Sequence, residues 1–190
     1  GEVIGEKRIG IASERPSIVF PELATRVIEE GHAIASHSYY HSSVSNRNPA
    51  EQNCEIHQAY ASLKKTLGVT SSFFRLPYGN GFNITSIRAQ IAAEKLIHVY
   101  WSVDTLDWQD QNPDSIVERT LKGIKKDRRG IILFHDIRHR SVVASEKVMA
   151  YLKDPRNKLT TVTLPEIVDR LNGKTNKTKR QIVDAPFGVQ

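Results

Sequence analysis

Four short segments carry residues whose types and spacing suit hydrolytic chemistry. In Ser36-His37-Ser38-Tyr39-Tyr40-His41, two imidazoles stand four positions apart, so one helical turn or a tight loop can aim both at a single ion. Scattered surface histidines produce the same spacing. His32, His57, His98 and His139 lack such a context and read as structural or solvent-exposed. Phe73-Phe74-Arg75-Leu76-Pro77-Tyr78-Gly79 puts an arginine between a buried-looking strand and a Pro/Gly turn, where a fork held against a carboxylate suits it better than free solvation. Trp101-Ser102-Val103-Asp104-Thr105-Leu106-Asp107-Trp108 ends an apolar run with two carboxylates and an indole. Aspartates after a strand often cap the next helix, but Asn112 and Asp114 are better placed for that. Ile131-Ile132-Leu133-Phe134 drives His135 out of an apolar strand, and a carboxylate behind that ring would fix its tautomer and raise its basicity.

Each segment needs an element to hold it. Apolar periodicity and prolines near first turns predict helices at Pro21 to Glu30, Pro49 to Leu67, Ile84 to Glu94, Pro113 to Lys126, Val142 to Leu152 and Leu164 to Leu171. Strands are predicted at Ala33 to Ser36, Ser72 to Arg75, Ile97 to Val103, Ile131 to His135 and Thr160 to Thr163. This alternation argues for βα units around a parallel sheet or barrel, whose strand C-termini open on one face. All four segments follow strands, so they are expected to converge there. A barrel of this kind usually takes ~250 residues, more than this chain has.

Composition excludes several other classes. The chain has 190 residues, 39% hydrophobic and 25% charged, which fits one folded domain. No run approaches the ~20 apolar residues of a membrane span, and Gly1 to Arg8 has no apolar core of an export signal. Cys54 is the single cysteine and cannot form an intramolecular disulfide. The net charge of +6 gathers in Lys122, Lys125, Lys126, Arg128 and Arg129 at a helix end, and in Lys174, Lys177, Lys179 and Arg180 of the tail. Both are ordinary places for cations, and no nucleic-acid-binding motif accompanies them.

In their order and separation the segments resemble the NodB-like polysaccharide deacetylases, carbohydrate esterase family four, from about Val3 to Leu171. His37 to His41 resembles that family's metal-binding motif, Arg75-Leu-Pro-Tyr-Gly79 its third motif, Asp104-Thr-Leu-Asp107-Trp108 its fourth and Leu133-Phe-His135 its fifth. The polar, non-periodic run from Asn172 reads as a flexible basic tail over 172–190, while the resemblance implies a distorted α/β barrel domain over residues 1–171. It implies that His37 and His41 hold a divalent metal, zinc first, with cobalt or nickel also admitted by His/Asp ligation. That ion would polarise the acetamide carbonyl of an N-acetylglucosamine-containing polymer, peptidoglycan or chitin-like, and acidify a water. His135 would protonate the leaving amine with Asp107 holding its ring, and Arg75 would position the general-base carboxylate. The Tyr78 backbone N–H would meet the oxyanion, while Trp108 and Leu133 would line the acetyl pocket. An extracytoplasmic location follows from the same resemblance.

One departure stands against it. The family's first motif, a Thr-Phe-Asp-Asp-Gly run that supplies the base and a third metal ligand, has no counterpart, since no two aspartates are adjacent in the sequence. The expectation is that the chain starts after that motif, lacks the N-terminal strand, and on its own is catalytically weak or inactive. A carbohydrate-binding module that keeps the barrel without the chemistry, or a hydrolase of small amides, are the alternatives.

Overall fold

The structure is a computed structural model that describes residues 2–3, 10–12 and 21–173. Among these, strands and helices alternate: β1 Glu2–Val3, β2 Gly10–Ala12, α1 Pro21–Glu29, β3 Ile34–Ser36, α2 Pro49–Leu67, β4 Phe73–Phe74, α3 Thr85–Ala93, β5 Ile97–His98, β6 Val103–Asp104, α4 Pro113–Asp127, β7 Ile132–Leu133, α5 His139–Lys153, β8 Thr160–Thr161 and α6 Leu164–Leu171. Every strand pairing is parallel. The sheet comes in three pieces, β2-β3-β4-β5, β6-β7 and β1-β8, and the last joins the first strand to the final one, as ring closure requires. The result is a distorted α/β barrel with interrupted hydrogen bonding.

Local chemistry sets the helix ends. Asn48 accepts from the N–H groups of Ala50 and Glu51 while Glu51 accepts from the Asn48 N–H, and Pro49 fills the first position where no donor is needed. Thr163, Pro165 and Glu166 repeat this device at α6. Adjacent strand residues serve opposite faces: Phe74 packs with Ile56, Leu76, Ile87 and Ile91 under α2 and α3, whereas Phe73 packs with Ala35, Val99 and Leu164. Gly123 lets α4 lie flush on β6, because a Cβ there would meet Val103 Cγ1 at 2.9 Å.

The expected elements recur with three differences. The single strand predicted from Ile97 to Val103 is two. Its first part pairs with β4, Val99 N–H donating to Phe74 O, and its second pairs with β7, so Tyr100 and Trp101 are left as a crossing between separate sheet pieces. An apolar run reads alike whether its partner is one strand or two. The helix expected from Val142 begins at His139, and β1 and β2 stand in addition to the five strands predicted from the sequence pattern. The basic tail falls outside the described residues from position 174 onward.

Candidate active site

His37 and His41 sit in the loop after β3, with ring centroids 4.9 Å apart in an edge-to-face arrangement. His37 Nδ1 lies 2.7 Å from the carbonyl oxygen of Arg75. A carbonyl only accepts, so Nδ1 carries the proton and the Nε2 lone pair is left for a ligand. Burial, reinforced by the Arg75 cation, pushes the His37 pKa down to about 3, and burial likewise lowers that of His41. Both rings are therefore neutral near neutral pH, the form that binds metals. The backbone here is left-handed at Ser38 (φ 64°) and His41 (φ 57°), a conformation that costs a non-glycine residue ~1–3 kcal/mol and persists only where surroundings impose it.

The imposing group is Glu55, which sequence reasoning missed. This buried carboxylate on α2 accepts the N–H groups of Tyr39 (3.0 Å) and Tyr40 (2.9 Å) on Oε2 and the Ser42 hydroxyl on Oε1. Its signal was present: Gln52, Glu55, Ile56, Ala59 and Leu63 form the inward face of α2, and a carboxylate in that stripe needs donors to face. Glu55→Ala would strand the Tyr40 N–H and the Ser42 hydroxyl, while the Tyr39 N–H keeps the Glu55 backbone carbonyl at 3.1 Å, so it is expected to lower the unfolding free energy by about 1–3 kcal/mol, with Glu55→Gln losing less. Urea unfolding of the three chains would reveal it, and equal midpoints would show that the loop holds itself.

Arg75 follows β4 and is largely shielded from water. Burial drives its pKa down to about 10, partly opposed by the Asp104 charge. Its guanidinium lies over the Trp101 ring at 5.7 Å, and Trp101 in turn donates from Nε1 to Asp104 at 3.2 Å. The expected carboxylate fork is not made: among the described residues no acid stands within ion-pair distance, and the buried Nε has no hydrogen-bond partner. Tyr78 is exposed at the tip of a tight turn, also left-handed at φ 59°, with its hydroxyl 3.4 Å from the His41 carbonyl. Gly79 beside it cannot carry a side chain, since a Cβ would stand 2.8 Å from both Tyr100 and Trp101.

On the other sheet piece, Asp107 and His135 meet as expected. Asp107 is fully buried. Its Oδ1 accepts from His135 Nδ1 at 2.8 Å and from the Thr105 hydroxyl at 3.0 Å, and its Oδ2 accepts the His135 backbone N–H at 2.7 Å. Burial alone would raise the carboxyl's pKa, but the hydrogen bonds and charge of His135, with a smaller contribution from the Ser141 hydroxyl, together outweigh it and leave the group below its ordinary value of 3.8. The single Thr105 hydroxyl proton is shared between Asp107 and the nearer carbonyl of Leu133 at 2.7 Å, tying the loop after β6 to β7. Leu133 is buried and Trp108 about half exposed. The two halves come together where Arg75 lies over Trp101, which is bonded to Asp104, and a proton on His135 would disfavour one on His37 or His41. Of the histidines set aside, His57 pairs with Glu94 at 2.7 Å on the surface.

As a metal centre the described residues are half a set. Two neutral imidazoles fit the nitrogen ligands of a zinc site, but among the described residues no group of three His, Cys, Asp or Glu could hold an ion. The unpartnered Arg75 Nε beside them fits a further carboxylate at the same place.

With this geometry, a comparison with known proteins is decisive. The polysaccharide deacetylase family model matches residues 3–96. The chain belongs to the NodB-like polysaccharide deacetylases. It is 30% identical over 151 residues to the peptidoglycan-N-acetylmuramic acid deacetylase PdaC of Bacillus subtilis, covering 80% of this chain and 31% of that one. It is 34% identical over 120 residues to a chitooligosaccharide deacetylase of Bradyrhizobium sp. (strain ANU 289), covering 61% and 52%. The solved T48 deacetylase with substrate superposes with a TM-score of 0.74 at 27% identity, over 84% of this chain and 76% of that one. The chain thus spans about a third to a half of the length of these curated relatives.

Proposed function

We propose that this domain hydrolyses N-acetyl groups on a GlcNAc-containing polymer of the cell envelope, outside the cytoplasmic membrane, with a divalent metal at His37 and His41. The observation that carries the reading is the pairing of a buried carboxylate with a part-exposed imidazole, Asp107 and His135, beside two neutral histidines. Zinc is the first choice, with cobalt or nickel also compatible with nitrogen and carboxylate donors. When bound, such an ion would polarise the acetamide carbonyl and acidify a water. The protein's own part is proton management. His135, held through Nδ1, presents Nε2 to the leaving amine and donates its proton there, while Asp107 stabilises the imidazolium. Arg75 would steady the carboxylate that takes the proton of the attacking water, the base that the family's first motif supplies. The Tyr78 N–H stabilises the oxyanion, and Trp108 with Leu133 flanks the acetyl methyl.

The lack of a third ligand among the described residues favours one second reading, a carbohydrate-binding module without chemistry. Acetate release decides between them. The natural polypeptide that contains these residues, loaded with zinc, is expected to deacetylate peptidoglycan fragments or acetylated chitooligosaccharides and to stop when the metal is chelated. The 190-residue chain alone is expected to be far slower. Oligosaccharide binding without acetate would establish the module, and a preference for small acetamides over oligomers would overturn the polymer substrate.

A further inference from the structure

The loop that delivers Asp107 is strained and is held from outside by two arginines that the reaction does not use. Leu106 is left-handed at φ 51°, which a branched apolar residue does not adopt unaided. Inside the loop, Asp104 Oδ1 accepts the Leu106 N–H at 3.0 Å, and Thr105 bridges Asp107 and Leu133. Outside it, Arg140 of α5 donates from Nε to the Asp107 carbonyl at 3.3 Å and from Nη2 to the Trp108 carbonyl at 3.2 Å. Arg119 of α4 donates from Nη1 to the Thr105 carbonyl at 2.7 Å and from Nη2 to Asp110 Oδ2 at 2.6 Å, where Ser115 also donates at 2.7 Å.

We infer that Arg140 and Arg119 are positioning residues for the Asp107–His135 pair, a two-sided clamp on the backbone of residues 105–108. The geometry explains why forks are used. A guanidinium can engage two successive carbonyls with fixed spacing, which an ammonium on a flexible stem cannot do. The two arginines also come from neighbouring helices, α4 and α5, so the loop is referred to the helical layer rather than to itself. The gain is alignment. Both Asp107 oxygens must reach His135 groups at once, at 2.7 and 2.8 Å, and a displacement of about 1 Å, enough to cost ~10²-fold in rate, would break at least one bond. Arg140 is the better probe, because among the described residues it forms no ion pair whose loss would confuse the result, whereas Arg119 is bound to Asp110.

The kinetic part of the test rests on the proposed deacetylation; the spectroscopic part does not. In the zinc-loaded natural polypeptide, Arg140→Ala is expected to lower kcat roughly 10- to 100-fold with KM nearly unchanged. Added guanidinium should restore part of the loss, and Arg140→Lys should recover less than wild type despite its charge. Independently of turnover, the His135 ring nitrogens should lose their Asp107-bonded NMR signature, and the fluorescence of Trp108 should shift. Arg119→Lys provides a second variant if Arg140→Ala does not fold. A folded Arg140→Ala protein whose His135 signals and Trp108 emission match wild type overturns the clamp. Absence of acetate release from wild type would instead count against the deacetylase reading and leave the spectroscopic result to decide the clamp.

Discussion

Replacing His135 by alanine in the zinc-loaded natural polypeptide is expected to lower kcat by ~10²–10⁴-fold, the usual contribution of a positioned proton donor. Asp107→Asn should approach the same loss without touching the ring itself. In wild type the Nδ1 proton is committed to Asp107 Oδ1 while Oδ2 is filled by the His135 backbone N–H. An asparagine has one acceptor oxygen. Either its amide NH₂ faces the backbone N–H, donor against donor, or it faces Nδ1 and forces that nitrogen to accept, moving the ring proton to Nε2 in the neutral form. In both cases the imidazolium loses its counter-charge. Metal content should stay at the wild-type level in both variants; loss of zinc from Asp107→Asn would make Asp107 a ligand and the proton-transfer assignment wrong. A second readout follows from sign. Because the folded Asp107 carboxyl lies below its ordinary value of 3.8, its contribution to stability is present above that pH and is lost as pH falls through the folded value. Acid unfolding should therefore depend less steeply on pH below about 4 in Asp107→Asn.

Zinc binding should collapse in His37→Ala and His41→Ala, by more than the roughly 10–100-fold that loss of an outer-shell partner costs. The two rings lie close, are both neutral, and His37 is oriented by the Arg75 carbonyl so that Nε2 is left to coordinate. His57→Ala, a surface histidine paired with Glu94, is the control and should bind as wild type. Calorimetric titration with zinc would measure all three. Wild-type affinity in either His37→Ala or His41→Ala removes the metal centre from this loop.

The parts legible in the sequence share one property: their signal is local. A histidine leaving an apolar strand, an aspartate beside a tryptophan, and prolines opening helices can each be recognised within a few residues, and the family resemblance of those short motifs paired Asp107 with His135, which do meet. What was hidden depends on partners far along the chain. Glu55 sits in a helix where glutamate is common, and only the loop it faces makes it special. Arg140 reads as one more basic residue until the carbonyls of Asp107 and Trp108 arrive beside it. Arg75 reads as a fork for a carboxylate, yet among the described residues what lies against it is an aromatic ring. The break between Ile97–His98 and Val103–Asp104 belongs to the same class, since strand pairing and not residue preference decides where a ladder ends.

That break has a consequence for how such a site can be inherited and lost. His37, His41 and Arg75 hang from the β2-β3-β4-β5 ladder, whereas Asp107 and His135 hang from β6-β7. Among the described residues no backbone ladder joins these two pieces, and side chains meet between them: Arg75 lies over Trp101, itself bonded to Asp104, and Ile131 packs against Ala35, Phe73 and Val99. Substitutions that erase one half of the chemistry need not unravel the other, because each half keeps its own hydrogen-bonded support. Descendants of one barrel can therefore part with the electrophile-handling half or the proton-handling half separately, and the surviving half would still look intact to any reader of motifs.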